Sequence, residues 1–114
     1  MKKIFISQPM RGKTDEEILV AREKAIAKAK ELVGEPIEVI DSFFQSEPVD
    51  AKPLWYLGES IKLLAKADIA YFAEGWNEAK GCNIEFMCTI GYNIDSIVEY
   101  REGQISLQKA ISMQ

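Results

Sequence analysis

The chain has 114 residues, 47% of them hydrophobic, and a formal net charge of −4. That length suits a single domain over residues 1–114 that buries roughly two-thirds of its unfolded surface, and the composition excludes disorder. The negative balance argues against a nucleic-acid polymer as partner, which needs a basic face to neutralise several phosphates, whereas a small anion needs only one or two local cations.

Lys3-Ile4-Phe5-Ile6-Ser7 is a short β-branched and aromatic run closed by Gln8-Pro9, as a buried parallel strand would be. Thr14-Asp15-Glu16-Glu17 matches a capping box, with three acids near the positive helix end. From there Ile18, Ala21, Ala25, Ala29 and Leu32, flanked by Leu19, Ile26 and Val33, form an apolar stripe. Arg22, Glu23, Lys24, Lys28, Lys30 and Glu31 are expected to face away. Gly34 ends this helix and Pro36 prevents its resumption.

Ile37-Glu38-Val39-Ile40 reads as a second strand, followed by a polar and aromatic segment from Asp41 to Lys52. Pro53 opens a helix whose Leu54, Leu57, Ile61, Leu64 and Ala65 share a face. Asp68-Ile69-Ala70-Tyr71-Phe72 is a third strand, expected at the centre because it is apolar nearly throughout. The helix after Gly81 carries Ile84, Met87, Cys88 and Ile90 and stops at Gly91; Asp95 to Tyr100 is a fourth strand. Ile105, Leu107, Ala110 and Ile111 suggest a last short helix.

Alternating strands and helices imply an α/β fold, a parallel sheet of about four strands with right-handed crossovers and helices on both faces. Such sheets hold ligands at the carboxyl ends of their strands. That rule gathers Ser7 to Lys13, Asp41 to Glu47 and Ala73 to Gly81 onto one edge, with Glu85 expected in the first turn of the helix beyond. Two glycine-marked turns stand out there, Ser7-Gln8-Pro9-Met10-Arg11-Gly12 and Gly75-Trp76-Asn77-Glu78-Ala79-Lys80-Gly81. With the guanidinium of Arg11 and the carboxylate of Glu85 they suggest a small anionic ligand and an acid.

Each of these residues has a plainer reading. Glu85 would also complement a helix dipole, a contribution of roughly 0.3–1 kcal/mol that needs no substrate. Arg11 suits a solvated loop cation or an ion pair with Asp15. Trp55 and Trp76 suit rim packing as well as base stacking. Lys80 suits either a phosphate or solvent, and Asp68 a turn or cap.

No apolar run approaches the roughly twenty residues that span a bilayer. Met1-Lys2-Lys3 leads into a strand rather than a signal-peptide core, so the expectation is a cytoplasmic protein with no membrane partner. The sequence has no histidine, and Cys82 and Cys88 are six apart, a spacing of neither a zinc knuckle nor a redox pair. Two buried free thiols, no metal and no cofactor are expected, and acid–base chemistry falls to carboxylates, Tyr, Lys or Cys.

Ile4-Phe5-Ile6-Ser7-Gln8-Pro9-Met10-Arg11-Gly12, Ala67-Asp68-Ile69-Ala70, and Gly75-Trp76 followed by Gly81-Cys82-Asn83-Ile84-Glu85 together resemble the nucleoside 2-deoxyribosyltransferase superfamily. The nearest branch is a little-characterised bacterial and phage one, the DUF4406 proteins, and the motifs run in order from Ile4 to Gly91. The resemblance implies a three-layer, flavodoxin-like (Rossmann-like) sheet and cleavage or exchange at the N-glycosidic bond of a small nucleoside or nucleotide. Glu85 would be the nucleophile that attacks the anomeric carbon. A carboxylate suits a cationic, oxocarbenium-like transition state, and the helix amino end is expected to keep it ionised. Gly81 would let the backbone approach the sugar. Ser7, Gln8, Pro9, Met10, Arg11 and Gly12 would cradle a 5′-phosphate, with Glu59 and Trp76 completing the substrate contacts.

The sequence departs from the characterised members at three supporting positions. Their first-strand tyrosine is Phe5 here. Their sugar-contacting aspartate falls in Gly58-Glu59-Ser60-Ile61, where only Glu59 or Ser60 could replace it. Their phosphate-binding serine is Ala79. The alternative function is therefore a non-catalytic nucleotide-binding or assembly module that has kept the fold. The superfamily usually builds oligomers, which implies a homo-oligomer here, and the tail from Arg101 to Gln114 offers either a contact surface or a cover for the protomer's own sheet.

Overall fold

A computed structural model describes residues 1–42, 50, 52–101 and 104–108. In chain order its elements are β1 (Lys2–Ser7), α1 (Asp15–Val33), β2 (Ile37–Val39), α2 (Pro53–Leu64), β3 (Ile69–Phe72), a 3₁₀ turn (Trp76–Glu78), α3 (Lys80–Gly91), β4 (Asp95–Glu99) and β5 (Ile105–Gln108). The five strands form one sheet in the order β2-β1-β3-β4-β5. The first three pairings are parallel and β4–β5 is antiparallel. The fold class is thus α/β with a mostly parallel sheet, and β3 is its central strand as its apolar sequence requires.

Local chemistry sets the element ends. Thr14 Oγ1 accepts from the Glu17 amide at 3.1 Å while the Glu17 carboxylate accepts from the Thr14 amide at 2.9 Å, closing the expected capping box. Those bonds also hold the Glu17 carboxyl below the usual range. Gly34 closes α1 in the left-handed conformation at φ 70°, which glycine adopts without strain. Asp68 is a structural clip: its carboxylate accepts from the Lys3 amide and its own amide donates to the Lys3 carbonyl, both at 2.8 Å, pinning the start of β3 to β1.

Successive strand residues point to opposite faces of the sheet. Ile4, Ile6, Tyr71 and Ile97 cluster with Ala25 and Ala29 of α1. Phe5, Ala70, Phe72 and Val98 cluster with Leu64 of α2 and Cys82 of α3. The two core clusters therefore lie on opposite sheet faces. Phe5, at 1% exposure, belongs wholly to the second.

Four expectations need correction. The tail forms no helix over Ile105 and Leu107; β5 pairs antiparallel with β4 and puts Ile105 against the α1-side core, leaving Leu107 exposed. Ala110 and Ile111 lie outside the described residues. On α1 the buried positions are Ile18, Arg22, Ala25 and Ala29, so Arg22 points inward while Leu19 and Leu32 are exposed. The reason is that 18, 22, 25 and 29 follow the helical repeat closely, and the long Arg22 stem spans the apolar layer to polar partners beyond it. On α2, Leu54 and Ala65 lie outside and Leu64 is the buried residue. On α3, Ile84, Met87 and Ile90 are exposed, and Cys82, Glu85 and Thr89 face inward.

Candidate functional site

The chain leaves β1 to reach β2 on one side, then returns past β1 to β3 on the other. The carboxyl ends of β1 and β3 thus flank the topological switch point, where open α/β sheets form their ligand crevice. Both glycine-marked turns leave from there, and they touch. The Ala73 amide donates to the Ser7 carbonyl at 2.9 Å. A Cβ added at Gly75, whose φ is 89°, would lie 3.3 Å from Pro9 Cγ. The left-handed backbone at position 75 favours glycine, and an added Cβ would also press on the neighbouring proline ring.

Ser7, the last residue of β1, is buried, and its hydroxyl donates to Glu85 Oε1 at 2.7 Å. The Ser60 hydroxyl of α2 also faces the Glu85 carboxylate and favours its charged form. Cys82, one turn before Glu85 on α3, meets the same Ser7 hydroxyl. Three elements, β1, α2 and α3, therefore converge on one carboxylate that is 6% exposed.

Burial dominates the electrostatics. It pushes the Glu85 carboxyl up to about 7, against the opposing pull of the Ser7 and Ser60 hydroxyls. Among the described residues no cation pairs with it. The expectation that the helix amino end keeps Glu85 ionised is therefore corrected. α3 begins at Lys80, so Glu85 is in the second turn, where the dipole has weakened and desolvation prevails. Dipole compensation fails as an explanation for the same reason. Burial likewise pushes the Cys82 thiol up to about 11, leaving it an inert free thiol, and Cys88 is free and half-buried.

The remaining expected residues are arranged as follows. Gln8 turns to the α1 face, where its Nε2 donates to the Ile18 carbonyl at 2.9 Å and its buried Oε1 has no partner among the described residues. Pro9 packs on Gly75; Met10, Arg11 and Gly12 form an exposed turn closed by the Lys13 amide on the Met10 carbonyl, with Gly12 at φ 79°. Arg11 makes no ion pair with Asp15 among the described residues, and it is not brought into contact with Glu85. Trp76 is buried within a ring cluster of Phe72, Phe86 and Tyr100, with centroids 4.9–6.1 Å away, so its faces are occupied by core packing. Gly81 stands against α2: an added Cβ would meet Leu57 at 3.9 Å, ordinary contact, so no close approach within the protomer demands glycine.

Glu59 is turned from the carboxylate and pairs with Lys62 at 2.8 Å. Its neighbour Ser60 is the residue that reaches Glu85. Helical spacing held the signal, since Leu57, Ser60 and Leu64 share a face and Leu64 is fully buried. Of the segment Asp41 to Glu47, Asp41 and Ser42 are described and the rest lies outside the described residues. Among the described residues no group of three His, Cys, Asp or Glu could hold a metal, and no helix is long and apolar enough to cross a membrane. Compared with known protein families and with curated proteins, the chain matches none.

Proposed function

We propose that this chain is a cytoplasmic enzyme that cleaves or transfers at the N-glycosidic bond of a small nucleoside or nucleotide, with Glu85 as nucleophile. The proposal includes a three-layer, flavodoxin-like arrangement, kinship with the nucleoside 2-deoxyribosyltransferases, and action as a homo-oligomer. One observation carries it: a buried carboxylate at the switch point, held by the Ser7 hydroxyl at 2.7 Å and by Ser60, and titrating near neutrality.

That arrangement suits the chemistry. A desolvated carboxylate stabilises a developing oxocarbenium ion more strongly than a hydrated one, because the local dielectric is lower. A Glu85 oxygen bonds to the anomeric carbon as the C–N bond breaks. The electron pair leaves with the base nitrogen, which takes up a proton from solvent, and the incoming water or acceptor base returns one to solvent in the second step. Water or a second base then displaces the carboxylate, and that displacement returns Glu85 to its starting state. Ser7 and Ser60 orient the carboxylate, with Ser60 in the role the sequence offered to Glu59 or Ser60. Arg11 and Gly12 in the first turn would hold a phosphate.

The test is to incubate the purified protein with a pool of nucleosides and 5′-monophosphates, with and without a free acceptor base, and to follow base release and exchange by mass spectrometry. Products absent from Glu85→Ala are expected. No products from the wild type would overturn the enzymatic reading. A second reading, a module that binds a nucleotide without cleaving it, is favoured by the low exposure of Glu85, 6%, and by the prior engagement of its Oε1 with Ser7. It predicts saturable binding that leaves every glycosidic bond intact.

A further inference from the structure

On the α1 side of the sheet, the carboxyl edge holds more acceptors than its own donors use. Ser7, Phe72 and Val98 stand in register across β1, β3 and β4, and the Ala73 amide continues the β1–β3 ladder onto the Ser7 carbonyl. One residue further, Gln8, Ala73 and Glu99 form the next row. All three face α1: Gln8 bonds Ile18, Ala73 belongs to the α1-side core, and Glu99 meets Tyr71 and Lys28. At a strand spacing of about 4.8 Å, the backbones of Gln8 and Glu99 lie roughly 10 Å apart, with the small Ala73 methyl between them.

The side-chain donors of this row are engaged. Gln8 Nε2 donates to the Ile18 carbonyl, which fixes the amide and leaves Oε1 buried without a partner among the described residues; Gln8 is 6% exposed. Tyr71 donates to Glu99 Oε2 at 2.7 Å, and Lys28 Nζ, 3.6 Å from Oε1, balances the Glu99 charge. Each carboxylate oxygen accepts more than one hydrogen bond, so Glu99 keeps acceptor capacity. A phosphate, which needs donors, gains none from the Gln8 side chain. An ammonium would meet a carboxylate already balanced by Lys28. The group that suits this row is neutral and carries N–H donors.

We infer that Gln8 and Glu99 receive the exocyclic amino group of a nucleobase, one N–H bond for each acceptor. The inference rests on the proposed glycosidic function and adds the class of base to it: an amino base such as adenine or cytosine, over its oxo counterpart hypoxanthine or uracil. Ser7 and Gln8 are consecutive and face opposite sides of the sheet, Ser7 toward Glu85 and Gln8 toward α1. A nucleoside laid across the end of β1 would put its sugar at Glu85 and its base on the α1 side, beside the exposed Met10–Gly12 turn. There the amino group would satisfy the unpaired Gln8 oxygen, whereas an oxo base would set one acceptor against another.

Equilibrium dialysis of the full chain against free bases tests this, comparing adenine with hypoxanthine and cytosine with uracil in wild type, Gln8→Met and Glu99→Gln. Wild type is expected to hold each amino base at least tenfold more tightly than its oxo counterpart. Gln8→Met keeps the side-chain length and removes the acceptor; Glu99→Gln turns one acceptor into a donor and leaves an oxygen for Tyr71. Each is expected to bring the ratio below about threefold. A wild type that binds amino and oxo bases alike, or binds neither, would overturn the inference. So would an unchanged ratio in either variant whose circular dichroism matches wild type; if Gln8→Met does not fold, Glu99→Gln decides alone. Failure of the proposed chemistry reads differently: an intact amino preference with no base release from nucleosides or 5′-monophosphates would remove the catalysis and leave the subsite.

Discussion

Two helices each bury one charged side chain, on opposite faces of the sheet, and the two are treated very differently. Arg22 of α1, 8% exposed, donates to the Ile40 carbonyl at 2.7 Å and to Ser42 Oγ at 3.1 Å, with the Asp41 carboxylate nearby. Glu85 of α3, 6% exposed, receives only neutral hydroxyls among the described residues. Burial lowers the Arg22 guanidinium, yet an arginine starts so high that it stays charged, and it ties the end of β2 to α1. The same burial brings a carboxyl into the physiological window. Glu85 is costly to fold around and chemically useful, whereas Arg22 is a structural tie.

The largest expected effect sharpens that contrast: Glu85→Gln keeps the shape but should lower base release or exchange at least ~10³-fold, measured as initial rates on whichever substrate the pool identifies. A comparable rate in the variant would make Glu85 as structural as Arg22. Next in size, Arg22→Ala should destabilise by about 3 kcal/mol in urea unfolding, because the Ile40 carbonyl and Ser42 are left buried without their donor. Little change would show that water replaces the guanidinium.

Glu85→Gln should do the opposite to stability. The folded-state value of about 7 lies above the ordinary 4.5, so the cost of ionising Glu85 is absent below about 4.5, grows between the two values, and is complete above about 7. A difference of that size corresponds to about 3 kcal/mol. Glu85→Gln should therefore stabilise the protein most at mildly alkaline pH and lose that advantage on acidification, as read from unfolding midpoints across pH. A pH-independent difference would contradict the linkage. Smallest is Ser7→Ala. Loss of a hydroxyl that favours the carboxylate should move the ascending limb of the pH–rate profile upward by about one unit, since a hydrogen bond to a charged group contributes about 1.5 kcal/mol. An unmoved limb with a lower plateau would limit Ser7 to packing.

Much of this was legible in the sequence because local and tertiary preferences agreed there. The capping box at Thr14, the left-handed Gly34, Pro53 at a helix start and the apolar β3 each have one local solution, and the fold uses it. The tail was ambiguous, since Ile105 and Leu107 alternate as in a strand while Ala110 and Ile111 extend a helical spacing; pairing with β4 decides it, and pairing is not a local property. α3 misleads for a different reason. Its apolar residues and its set Cys82, Glu85, Thr89 repeat with the same period on opposite sides, and hydrophobicity alone selects the wrong side. Inward Glu85 is tolerated because Ser7 and Ser60 meet it, and Thr89 because its hydroxyl donates to the Phe86 carbonyl at 2.6 Å. Glu85 itself was found from its position after Gly81, but its raised proton affinity was not, because burial is invisible in a sequence that suggests a first-turn acid.

Between Ser7 and Ser60 burial raises one carboxyl toward neutrality. Carbon NMR of protein labelled at the glutamate side-chain carboxyls, followed across pH in wild type and Glu85→Gln, measures this directly. One resonance titrating near 7 and missing from the variant is the predicted result. If every glutamate, Glu85 included, titrates in the ordinary carboxylate range, Glu85 is not desolvated in solution and its proposed role falls.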